Sequence, residues 1–93
     1  MLFRSTREYQ QMLALLRAKR TDAQVSQVEL ARRLEWTQAD VSKCETGVRR
    51  LDVIELRIWL KALGYELADF VQALDNSVPL LPDQARNSPA AAQ

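Results

Sequence analysis

The run Thr37-Gln-Ala-Asp-Val-Ser-Lys-Cys-Glu-Thr-Gly47 gathers on one short element several side chains that can meet a nucleic acid. A Gln can pair bidentately with adenine, a Lys can reach guanine, and an Ala methyl can sit against a thymine methyl. Thr37 followed by Asp40 has the spacing of a helix N-cap, and Gly47 is a natural residue just past a helix end, so the run predicts a helix. Val41 and Cys44, three apart, point to one side; Gln38, Ala39, Ser42 and Lys43 face out. Taken alone, such a polar face is more often simply solvated.

The elements that must position this face are legible as helices. Apolar residues make up 47% of the 93, with only two Gly and three Pro, and strand-like alternation is absent. That composition points to one compact all-α domain. Ser5 and Glu8 have capping-box spacing, and Tyr9, Met12, Leu13 and Leu16 follow at the spacing of one helix face, so a first helix is expected to end near Ala23 or Gln24. Arg20 falls on the Leu13/Leu16 stripe, and a charge on a core-facing stripe needs a partner there. Ser26 and Glu29 open a second helix of about two turns through Val28, Leu30, Ala31 and Leu34. Only Glu35 and Trp36 separate Leu34 from the Thr37 cap, which forces a tight turn between two short helices.

Beyond Gly47, Asp52 and Glu55 cap a fourth helix whose main stripe is Leu56, Trp59, Leu60 and Leu63, ended by Gly64. Ile54 and Ile58 form a second stripe facing elsewhere. A fifth helix is predicted over 66–75, with Leu67, Phe70, Val71 and Leu74 in register and Asn76 as its stop. The domain is thus expected over 1–76. Residues 77–93, with Pro79, Pro82, Pro89 and an Ala run, read as a largely mobile tail in which Val78, Leu80 and Leu81 are apolar enough to dock.

Charge is distributed unevenly. Residues 17–50 carry eight Lys/Arg against five Asp/Glu, and residues 51–93 carry three against six. A basic middle is compatible with a polyanionic partner. With one Cys and no His, neither an internal disulfide nor a Cys/His metal site can form, and no cofactor is expected. The opening Met-Leu-Phe-Arg lacks a signal-peptide apolar run, and no stretch approaches the roughly 20 apolar residues of a membrane span. The expected compartment is the cytoplasm.

Ser26-Gln-x-Glu-Leu-Ala31, Val41-Ser-Lys-x-Glu45-x-Gly47 and Leu63-Gly64 resemble the helix-turn-helix domain of the Cro and phage-repressor type, also called the xenobiotic-response-element (XRE) type. The resemblance covers about Leu13 to Leu74. It implies a five-helix, lambda-repressor-like fold with the helix-turn-helix at about 27–46. It also implies that Gln38 to Thr46 is a recognition helix lying in the major groove of double-stranded DNA. Carried over by position, Gln38, Ala39 and Lys43 are expected to read bases, with Asp40 and Ser42 as further candidates. Gln27, Thr37, Thr46, Arg49 and Arg50 fall at phosphate-contacting positions. Arg20 and Glu45 match a buried ion pair, which supplies the partner Arg20 needs. Two positions depart from the family pattern: Glu35 at the tight turn and Gln24 after the first helix stand where Gly is usual.

The resemblance implies a sequence-specific transcriptional regulator, a repressor or autoregulator that occupies its operator. One short domain gives limited affinity, so a homodimer on a pseudo-palindromic site is expected, with Ile54, Ile58, the fifth helix and Val78 to Leu81 as its interface. The alternative is an antitoxin or adaptor whose main partner is a protein engaged by the acidic C-terminal part. An enzyme fits worst: the chain has no His, no paired nucleophile and base, and no phosphate loop. Cys44, Trp36 and Trp59 are expected to be packing residues, and Arg32 and Arg33 to lie on the exposed side of the second helix.

Overall fold

The computed structural model describes residues 6–77, which form five α-helices. These are α1 (Arg7–Asp22), α2 (Gln27–Leu34), α3 (Gln38–Thr46), α4 (Val53–Leu63) and α5 (Leu67–Ser77). Ser5, and the tail segment carrying Val78, Leu80 and Leu81, lie outside the described residues. Local capping chemistry fixes most boundaries. Thr6, one residue beyond Ser5, caps α1 by accepting from the Tyr9 N–H at 3.0 Å. Ser26 accepts from the Glu29 N–H, and both Thr37/Asp40 and Asp52/Glu55 close reciprocal capping boxes. α5 runs two residues past Asp75, and the Ser77 hydroxyl donates back to the Leu74 carbonyl at 3.1 Å.

The apolar stripes meet in one core. Leu13 and Leu16 of α1, Leu30, Ala31 and Leu34 of α2, Val41 and Cys44 of α3, Leu56, Trp59, Leu60 and Leu63 of α4, and Phe70 of α5 are all buried. Val28, Ile54, Ile58 and Val71 remain exposed. α2 packs on both α3 and α4, α1 on α3 and α5, and α4 on α5, so the helix-turn-helix pair is backed on both sides. Trp36 at the turn sits edge-on to the buried Trp59, ring centroids 6.1 Å apart.

Both of the positions that depart from glycine adopt a left-handed backbone. Gln24 and Glu35 each have φ of 60°. The geometry is demanded by the hydrogen bonds around each turn. The Glu35 N–H reaches the Arg32 carbonyl and the Trp36 N–H the Ala31 carbonyl, while the Gln24 N–H reaches Thr21 and the Val25 N–H reaches Arg20. Closing these helix ends requires a residue in the left-handed region, where a side chain costs about 1–2 kcal/mol.

Among the described residues one charged side chain lies in the interior. Glu45, 1% exposed, is gripped by the Arg20 guanidinium, with Nε 2.6 Å from Oε2 and Nη2 3.0 Å from Oε1. Arg20 Nη1 donates to the Val25 carbonyl at 3.0 Å, and Arg17 Nη1 donates to the Glu45 carbonyl at 2.9 Å. The pair therefore ties α1 to both ends of the helix-turn-helix. A buried carboxylate is tolerable because its oxygens are filled by charge-assisted bonds.

Glu35→Gly should stabilise the domain by about 0.5–1 kcal/mol, the relief of the left-handed cost less the extra unfolded-state entropy of Gly. Thermal melts should rise by about 2–6 °C, whereas Glu35→Ala, which keeps a Cβ, should show no gain. Glu45→Leu should destabilise by about 3–5 kcal/mol in urea unfolding, because it strands the Arg20 charge. A loss below about 1 kcal/mol would show that Arg20 finds water instead.

Candidate nucleic-acid interface

α3 has an inner and an outer side. Val41, Cys44 and Glu45 are buried, while Gln38, Ala39 and Lys43 are exposed and Ser42 is half-buried. The inner side packs on α1 and α2 and carries the Arg20–Glu45 pair; the outer side faces solvent. Lys43 makes no side-chain hydrogen bond among the described residues, so its ammonium is available.

A continuous set of hydrogen bonds links the buried carboxylate to the outer face. Gln27 Nε2 donates to Glu45 Oε1 at 2.9 Å, and Gln38 Nε2 donates to Gln27 Oε1 at 2.9 Å. An ionised carboxylate only accepts, so Gln27 must turn its NH2 inward and its oxygen outward. Gln38 must then offer an N–H to that oxygen. One amide N–H and the carbonyl oxygen of Gln38 are left for an external partner.

The other expected positions are arranged differently from one another. Thr37 and Asp40 are engaged in the capping box: the Thr37 hydroxyl accepts from the Asp40 N–H at 3.0 Å, and Asp40 Oδ2 accepts from the Thr37 N–H at 3.2 Å. The Thr37 hydrogen bonds hold the Asp40 carboxyl below its usual range, with Arg49 and Lys43 adding to the effect. The Thr46 hydroxyl donates back to the Ser42 carbonyl at 3.0 Å. Arg50 is exposed, and its guanidinium lies 4.5 Å above the Tyr9 ring, whose hydroxyl accepts from the Leu51 N–H at 3.1 Å.

Arg49 has partners on several sides. The Gly47 turn, with φ of 88°, brings the Arg49 N–H onto the Lys43 carbonyl at 3.0 Å. Its side chain then folds back, donating to Cys44 Sγ at 3.1 Å and Glu55 Oε2 at 2.7 Å, and stacking 4.6 Å above Trp36. A basic group at Cys44 is not legible from helical spacing, because Arg49 lies beyond the helix end and returns only through the left-handed glycine. Burial pushes the Cys44 thiol up despite that guanidinium, which keeps it protonated and unreactive at neutral pH. Arg32 and Arg33 both pair with Glu29, whose carboxyl they lower to about 2, and Arg33 also donates to the Ala62 carbonyl at 2.8 Å.

Among the described residues no cluster of His, Cys, Asp or Glu could hold a metal ion, and no helix is long and apolar enough to cross a membrane.

Comparison with known proteins agrees with this geometry. The family model described as a helix-turn-helix domain matches residues 11–74. The solved structure of an XRE-family like protein from Pseudomonas syringae pv. tomato str. DC3000 matches with a TM-score of 0.73 and 39% sequence identity, over 77% of this chain and 88% of that one. No protein with a curated description matches. With two short helices joined by a tight turn, an outward polar face on the second, and matches of this extent, the chain belongs to the XRE-type helix-turn-helix family of DNA-binding regulators.

Proposed function

We propose that this DNA-binding regulator occupies a specific pseudo-palindromic operator as a homodimer and represses or autoregulates transcription there. The observation that carries the reading is the hydrogen-bonded line Arg20–Glu45–Gln27–Gln38. It presents one donor and one acceptor of Gln38 at the start of α3, the pair that an adenine edge requires. Ala39 beside it suits a thymine methyl, and Lys43, one turn further along, suits guanine O6 and N7. Ser42 flanks these positions as a secondary contact, and Asp40, held in its cap through Oδ2, has only Oδ1 to offer.

Phosphates on either side of the groove would meet the ends of the helix-turn-helix. The first-turn N–H groups after Thr37 lie at one end of α3, where the helix dipole favours an anion; Gln27, its side-chain oxygen turned outward, can offer a phosphate only its remaining N–H groups at the start of α2. Arg50 lies at the other end of α3, beside Thr46, whose hydroxyl hydrogen is already given to the Ser42 carbonyl. Such contacts set register and orientation without reading sequence.

Dimerisation is supported by an apolar surface away from α3. Ile54 and Ile58, four apart on α4, are 62% and 46% exposed, and Val71 of α5 is 46% exposed. Two β-branched residues one helical turn apart form a stripe that a second copy can cover.

Selection of bound sequences from a random duplex pool should enrich two related half-sites about one helical turn apart. In that selected site, Lys43→Ala should relax preference at one base pair, costing about 1–3 kcal/mol against the preferred base and little elsewhere. An unenriched pool would overturn the reading. Sedimentation at tens of micromolar should show a dimer, and Ile54→Asp should reduce it to a monomer; a monomeric wild type would remove the dimer from the mechanism.

A further inference from the structure

We propose that Arg49 is a positioning residue that fixes the far end of the recognition helix, and not a phosphate contact. The inference rests on the DNA-binding reading above and changes the role that position in the sequence implied for this side chain. Arg49 joins three parts of the chain. Its Nη1 donates to Cys44 on the last turn of α3, its Nη2 donates to Glu55 in the first turn of α4, and its guanidinium face lies on Trp36 in the turn before α3. Glu55 is committed from the other side too, because its Oε1 accepts from the Asp52 N–H at 3.0 Å in the α4 capping box. Trp36 in turn rests edge-on against Trp59 in the core.

A guanidinium suits this place for reasons an ammonium does not share. Its planar fork can reach a thiol and a carboxylate in different directions while its face covers an indole. Leaving the clasp for a phosphate would forfeit an ion pair, a sulfur contact and a cation–π stack, and would uncover Trp36. Arg50, the next residue, is exposed and lies over the Tyr9 ring. Arg49 thereby sets where the loop, and with it Arg50, meets the DNA backbone.

The test compares Arg49→Lys and Glu55→Gln with wild type on a selected operator and on non-specific duplex, across a salt titration, after melts show both variants folded. A phosphate contact would make Lys a near-neutral replacement and would make Glu55→Gln bind more tightly, since it frees the cation. A clasp predicts the opposite sign: both variants should lose about tenfold on the operator, the range of one misplaced base contact. Their salt slopes should stay within about 0.3 of wild type, whereas a lost phosphate contact flattens the slope by about 0.9. Without DNA, Arg49→Lys should also red-shift tryptophan emission, and the shift should vanish in a Trp36→Phe background. Wild-type affinity in Arg49→Lys, tighter binding by Glu55→Gln, or unchanged emission would each overturn the proposal. If wild type itself prefers no sequence, it is the DNA reading that fails, and this role falls with it.

Discussion

Removing a carboxylate from water is tolerable only if its oxygens are met by donors, and in this protein that requirement organises the helix-turn-helix. Glu45 is almost wholly buried on the inner side of α3. Arg20 from α1 fills one oxygen and shares the other with Gln27 from α2, so three helices converge on one charge. The register of α3 against α1 cannot slip without stranding that charge. The same bonds pass outward through Gln27 to Gln38 and determine which way an exposed amide points. A packing constraint in the interior is thereby converted into a hydrogen-bonding pattern on the surface.

The turns on either side of the pair serve the same end. Gln24 and Glu35 both hold a left-handed backbone, a conformation glycine adopts at lower cost. Each lies where one helix closes its last carbonyls and the chain must change direction within two or three residues. At the first, Val25 becomes buried and its carbonyl accepts from Arg20. At the second, Trp36 is delivered onto Trp59. The local strain is offset by these tertiary contacts, which is how a non-glycine residue persists there.

The surface divides by the same logic. Cations near α3 are not equivalent: Arg20 is half-buried in an ion pair, Arg49 is folded onto an indole and a carboxylate, and Lys43 stands in solvent. Arg32 and Arg33 are drawn to Glu29 on α2. The basic middle of the chain is therefore not a uniform field, because most of its cations are committed to carboxylates, carbonyls or aromatic faces. Ile54 and Ile58 stand apart on α4, exposed because the stripe Leu56, Trp59, Leu60 and Leu63 already fills the core side.

Sequence alone determined the helices, because capping residues and apolar spacing act within one turn: Ser26, Thr37, Asp52, Gly47 and Gly64 each mark a boundary that the fold keeps. It also determined the two sides of α3, since residues three and four apart share a face whatever packs there. Resemblance of motifs supplied the Arg20–Glu45 pairing, which no local rule contains, the two residues being 25 apart. The tertiary structure alone decided which polar groups were already used. Asp40 is taken by its own cap, Thr46 by the helix behind it, and Arg49 by Trp36, Cys44 and Glu55. A hydrogen bond depends on where a side chain's end lies, and that is settled only when distant elements come within about 3 Å. Val28 shows the same limit for apolar residues: it shares a helix with three buried ones but points away from every neighbour that could cover it.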